Sequence, residues 1–257
     1  MMRVASALLI AVLLSTCAIS GTFAKYVTTA SGSDNARVAK WGITMSNGED
    51  SFKSAYGASV LAYDNDTDTL VAPGTDGSTT YQVSGKPETD YIITFEDTIC
   101  NHDVFLGKGD YTYTGVNVDY LGMNATLGDS DFYYPLEWRV TIETNLGDVD
   151  NTNGWVKNES RIFAKLEDAM TALANAKVTF KATEACDMIV RIEWEWDFDG
   201  ASGAFVDPTY TSNDVYDTIL GDLAARDGGA STNLTATNAT YDLDVDFTVK
   251  MKATQLD

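Results

Sequence analysis

The chain has 257 residues, with 38 Asp and Glu against 17 Lys and Arg, one histidine and a formal net charge of −21. That charge argues against nucleic acid and anionic lipid surfaces as partners, since both repel so acidic a surface. The single histidine excludes a His-Glu-x-x-His zinc site and would force any Ser-His-Asp or Cys-His arrangement through His102.

An apolar run from Val4 to Ile19 opens the chain, entered through Arg3 and left through Ser20-Gly21-Thr22-Phe23-Ala24. It is shorter than the roughly 20 apolar residues that span a bilayer. Its basic start and small-residue exit read as a secretory signal peptide, residues 1–24, cleaved between Ala24 and Lys25. A retained N-terminal anchor is the alternative; Cys17 as a lipid acceptor is poorly served by Thr16 before it. Cleavage removes Arg3 and no acid, so the charge moves from −21 to −22. The rest is long enough to bury a core without disulfides, and no linker or repeat argues for a domain cut, so residues 36–257 read as one domain.

Along that domain, strands are expected over Arg37 to Met45, Thr79 to Ser84, Tyr91 to Glu96, Tyr111 to Val118 and Val178 to Ala182. Three segments alternate more cleanly. Leu136, Trp138, Val140 and Ile142 stand against Glu137, Arg139, Thr141 and Glu143; Val190, Ile192, Trp194, Trp196 and Phe198 stand against Arg191, Glu193, Glu195 and Asp197. The third, Tyr241 to Lys252, places Leu243, Val245, Phe247, Val249 and Met251 opposite acids, Thr248 and lysines. A period of two with one apolar face predicts half-buried strands. Helices are expected over Ser160 to Ala176 and Asp214 to Arg226, the second capped by Ser212 or Asn213. Turn clusters lie at Ser46 to Asp50, Pro73 to Ser78 and Asn151 to Gly154. Together these predict an all-β fold, a two-sheet sandwich or jelly roll with one or two short helices in the connections.

Chemistry is sparse. His102 sits in Cys100-Asn101-His102-Asp103, a polar break after a strand, and reads as a surface loop residue; there is no Gly-x-Ser-x-Gly elbow. Among 38 acids, no carboxylate pair stands out as a glycosidase pair. No enzyme and no cofactor are expected, with calcium a weak candidate. Asp64-Asn65-Asp66-Thr67-Asp68 begins like an EF-hand loop but has Thr69 and Thr75 where Gly and Glu belong. Asp197, Asp199, Asp214 and Asp217 form a second oxygen-rich set, although Asp199-Gly200 also suits a turn and Asp214 and Asp217 also suit a helix N-terminus. Cys100 and Cys186 form a candidate disulfide in an oxidising exterior, worth about 4–5 kcal/mol for so long a loop; two separate buried thiols are the alternative. Five Asn-x-Ser/Thr sequons occur, at Asn65, Asn124, Asn158, Asn233 and Asn238.

Several stretches carry a likeness in their order: Gly21-Thr22-Phe23-Ala24-Lys25-Tyr26-Val27-Thr28-Thr29, Ala36-Arg37-Val38-Ala39-Lys40-Trp41-Gly42-Ile43, Val71-Ala72-Pro73-Gly74-Thr75-Asp76-Gly77-Ser78, Gly85-Lys86-Pro87-Glu88, Tyr133-Tyr134-Pro135-Leu136-Glu137-Trp138 and Trp194-Glu195-Trp196 with Asn213 to Gly221. The chain in this respect resembles the TasA/camelysin group of secreted matrix proteins from Gram-positive bacteria. The resemblance implies a jelly-roll subunit, released by a dedicated signal peptidase, that polymerises with itself into extracellular biofilm filaments. In such filaments an N-terminal arm, here residues 25–35 with Lys25, Tyr26, Val27, Thr28 and Thr29 as donor strand and Ser31-Gly32-Ser33 as hinge, completes a sheet of the neighbour. Tyr26 and Val27 are its expected apolar knobs. That expectation includes an acceptor margin left vacant in the isolated subunit. Minor anchoring or co-polymerising subunits are further implied partners. Camelysin is also described as a metalloprotease, which this chain's lone histidine does not support. A different reading is a monomeric surface β-sandwich that binds a glycan or host ligand through Tyr111, Tyr113 and Tyr120.

Overall fold

The computed structural model describes residues 27–29, 36–38, 43–46, 48, 52, 71–114, 124–145, 148–149, 155, 158–182, 184–197, 213–229 and 232–256. Its strands are, in order, β1 (Val27–Thr29), β2 (Ala36–Val38), β3 (Ile43–Ser46), β4 (Thr75–Gly85), β5 (Tyr91–His102), β6 (Phe105–Leu106), β7 (Gly109–Tyr113) and β8 (Ala125–Leu127). Then follow β9 (Glu137–Thr144), β10 (Asp148–Val149), β11 (Glu159–Phe163), helix α1 (Leu166–Ala174), β12 (Lys177–Phe180), β13 (Cys186–Trp196), helix α2 (Asp214–Asp227), β14 (Leu234–Thr237), β15 (Tyr241–Asp242) and β16 (Asp246–Gln255). One sheet runs β1-β16-β5-β12-β10 and the other β11-β9-β13-β4-β3-β2, with smaller groups β14-β7-β8 and β15-β6. Every pairing among these strands is antiparallel, and the fold is all-β and sandwich-like.

The alternation in the sequence explains the core. Trp138, Val140 and Ile142 of β9 and Val190 and Ile192 of β13 are fully buried. They meet the other sheet through rings: Phe52 lies 6.4 Å from Trp138 and 5.5 Å from Trp194, and Phe247 of β16 lies 5.9 Å from both Phe52 and Trp138. The edge-to-face pairs among them, Phe52 with Trp138 and Phe247 with each of these, contribute about 0.5–1.5 kcal/mol each beyond area burial. At another point of the core Tyr91 stacks on Phe180 at 5.1 Å.

Between Ala72 and Thr75 the chain reverses. Gly74 has φ 82, and the Thr75 amide donates to the Ala72 carbonyl at 3.0 Å. Pro73 before a glycine at positive φ is the chemistry of a type II turn, so the expected turn cluster closes early and Thr75 to Ser78 join β4.

Four expectations change at the level of elements. The strand foreseen over Arg37 to Met45 is an antiparallel pair, β2 against β3, with Ala36 opposite Met45. The helix foreseen from Ser160 starts only at Leu166, because Glu159–Phe163 pairs along β9 and Lys165 is extended at φ −137. No side chain of its own segment caps α1; Asp103 Oδ2 accepts the Leu166 amide at 2.9 Å instead. The strand foreseen from Tyr241 to Lys252 breaks at 243–245, where the Asp244 amide donates to Asp242 Oδ1 at 3.1 Å. That local side-chain bond offers the backbone an alternative to the ladder. Finally, β5 runs on to His102, through a bulge at Asp97, whose φ is 50 and which leaves Ile99 half exposed. By contrast α2 follows its pattern, with Asn213 Oδ1 accepting the Val215 and Tyr216 amides.

Candidate functional site

Two strands define the margin of the five-stranded sheet. β1 is outermost, antiparallel to β16, with Val27 opposite Thr254, Thr28 opposite Ala253 and Thr29 opposite Lys252. A net contribution of about 0.5–1.5 kcal/mol per hydrogen bond gives so short a ladder only a few kcal/mol. Under it, Met251 and Ala253 of β16 are buried, while Lys250 and Lys252 bind Asp97 at 3.0 Å and Glu96 at 2.7 Å. Lysines along a sheet margin discourage indiscriminate pairing. Of the expected arm, Val27, Thr28 and Thr29 form β1; Ala24, Lys25, Tyr26 and the hinge at Ser31-Gly32-Ser33 lie outside the described residues. The expected vacancy is corrected: in the single chain this margin carries the chain's own β1.

Cys100 and Cys186 do not meet. Both are free thiols. Cys186 lies beside Tyr91 at the start of β5, whereas Cys100 is nine positions further along that strand, about 30 Å at 3.3 Å per residue. Burial pushes the Cys100 thiol up to about 12, with the carboxylates of Asp103, Glu167, Asp242 and Asp246 adding to it; burial likewise raises Cys186.

Of the acids foreseen as calcium ligands, Asp217 is tied into the framework. Asp217 is buried and accepts the Tyr133 hydroxyl at 2.6 Å, and Tyr133 in turn accepts the Asn213 amide at 3.1 Å. Asp214 stands in the first turn of α2 and Asp197 follows β13; Asp199, like Asp64 to Asp68, lies outside the described residues. A row of carboxylates that alternation did not foresee crosses three strands: Asp76 on β4 and Glu137 on β9 both stand opposite Glu195 on β13. Glu137 and Glu195 are buried, although the pattern expected both on a wet face. Next to them Arg139 grips Glu193 through two bonds of 2.8 and 2.7 Å, on a cleft of about 360 Å³ also lined by Trp194 and Trp196.

His102 is not an idle loop residue. It ends β5, opposite Asp246, and its Nδ1 lies 3.0 Å from Asp242 Oδ2. Asp242 is held by β15 against β6, and Asp244 by the amide bond already described. One ligand atom from each of His102, Asp242 and Asp244 falls within 4.8 Å of the others, the three-residue set of this kind found among the described residues. The Asp242 bond, then the charges of Asp242, Asp244 and Asp246, raise the His102 pKa. Beside it, burial drives the Asp103 carboxyl up to about 7 against the pull of the Leu166 amide, with Asp242 adding to the rise. Sequence reasoning missed this group because its members are 140 residues apart and meet only through two strand pairings. The one local signal is the spacing of Asp242, Asp244 and Asp246 on alternate positions.

Tyr111 and Tyr113, foreseen as exposed ligand contacts, are buried, and the Tyr111 hydroxyl donates to the carbonyls of Gly107 at 3.0 Å and Thr240 at 3.3 Å. Tyr120 lies outside the described residues. Four of the sequon asparagines, Asn124, Asn158, Asn233 and Asn238, are exposed; Asn65 lies outside the described residues. No protein-family model, curated protein or solved structure matches the chain.

Proposed function

We propose that this chain is a secreted structural subunit of an extracellular matrix filament, joined head to tail by exchange of its N-terminal strand. The observation that carries the reading is β1 itself: three residues of the expected arm, in extended form, paired among the described residues along the outer edge of β16 alone. A strand that short is held weakly enough to leave, and every backbone bond it makes within one subunit is reproduced when the same strand from a second subunit takes its place. Exchange, rather than addition to an empty groove, is therefore the form the mechanism takes. The order of motifs shared with the TasA/camelysin group supports the same reading, as does a leader whose removal would place Lys25 to Thr29 at a free terminus. The alternative, a monomeric glycan-binding sandwich, loses two of its three contact tyrosines to the core.

Negative-stain microscopy of the purified chain starting at Lys25 tests the proposal. Fibres are expected, and the same chain lacking Lys25 to Thr29 should stay monomeric while melting cooperatively. Fibres that persist without those residues would exclude strand exchange. A monomer at every concentration that binds a carbohydrate array would move the reading to the alternative.

A further inference from the structure

We propose that His102, Asp242 and Asp244 form a binding site for a divalent first-row transition cation of the zinc class. The three come from the end of β5, from β15 and from the link to β16, so two strand pairings fix the scaffold before any ion arrives. Their ligand atoms lie within 4.8 Å of one another. Metal bonds of about 2.0–2.2 Å to nitrogen and oxygen set neighbouring ligands roughly 3–4.4 Å apart, a distance small side-chain rotations reach from here. Asp242 already divides its oxygens, with Oδ1 on the Asp244 amide and Oδ2 toward His102.

A second observation points to a cation at this place. Asp103, next to His102 in sequence, is 9% exposed; its Oδ2 holds the Leu166 amide, while its Oδ1 meets no donor at full hydrogen-bond geometry. Asp246 stands opposite His102 across β5 and β16 and adds a further carboxylate at the cluster. The Lys165 ammonium sits over the Tyr134 ring at 5.0 Å. One imidazole nitrogen with two carboxylates selects zinc-class ions over calcium, which takes about 6–8 oxygens. His102 and Asp242 keep side-chain exposures of 53% and 27%, so the site is open to solvent and leaves positions for water.

The lone histidine makes the test clean. In protein without added histidines, the His102 Hε1 proton is the one imidazole Hε1 signal of the chain, and Zn²⁺ alone should shift it to saturation near one equivalent. By titration calorimetry His102→Gln and Asp242→Asn should each weaken Zn²⁺ binding by about tenfold or more, since loss of even an outer-shell partner of a ligand costs that much. Circular dichroism and melting should stay unchanged, since both side chains reach solvent. An unmoved His102 signal, or equal Zn²⁺ affinity in His102→Gln, would overturn the site. Equal displacement of Zn²⁺ by Ca²⁺ would overturn the assigned class.

Discussion

Cys186 lies against the Tyr91 hydroxyl, and burial raises the proton affinity of both groups. Cys100, pushed up to about 12 by burial and four nearby acids, is likewise held as a thiol. Because the thiolate is the nucleophile, neither residue should react with a thiol reagent at mildly alkaline pH while the chain is folded, and both should react once it is denatured. Absorbance of released thionitrobenzoate measures this. An unreduced chain whose intact mass is lower by a pair of hydrogens, with no thiol titrated in denaturant, would show that a bridge forms after all. The sequence left that pairing open for a physical reason: spacing along a chain gives loop length, whereas a disulfide needs Cα atoms within about 7 Å, which only the placement of Cys186 beside Tyr91 decides.

Elements were legible where a pattern was local. The Leu136 to Ile142, Val190 to Trp196 and Asp214 to Arg226 patterns became β9, β13 and α2 because each carries its own period, and α2 also its own cap. Asn213→Ala should therefore cost about 1 kcal/mol, within the usual 0.5–2 for such caps, and Asn213→Asp should cost little; urea unfolding reads the difference. Equal stability of Asn213→Ala and wild type would show the cap to be idle. Where partners are distant the pattern misled. α1 takes its N-terminal acceptor from Asp103, 63 residues earlier, so the stretch before Leu166 was free to join β9 as β11. Period-two reading likewise put Glu137 and Glu195 on a wet face, but each is buried beside the other on neighbouring strands. The His102 cluster is the same case, since nothing within reach of His102 in sequence announces Asp242.

At the scale of the whole molecule, the two large sheets meet through Trp138, Trp194, Phe52 and Phe247, and the outermost strand of one of them is the short β1. Because β1 is the end strand of its sheet, its exchange would leave the other ladders of the sandwich in place. Lys250 and Lys252 on the margin beneath it, each tied to an acid of β5, favour one specific strand over arbitrary edge pairing. The register fixes the most direct test of strand exchange: Val27 stands opposite Thr254, a cross-strand position suited to a disulfide. Val27→Cys with Thr254→Cys, in a chain whose Cys100 and Cys186 are replaced by serine, should be oxidised after assembly and run on a non-reducing denaturing gel. Exchange predicts a ladder of covalent multimers that collapses to monomer on reduction; a cross-linked monomer from assembled material would contradict it.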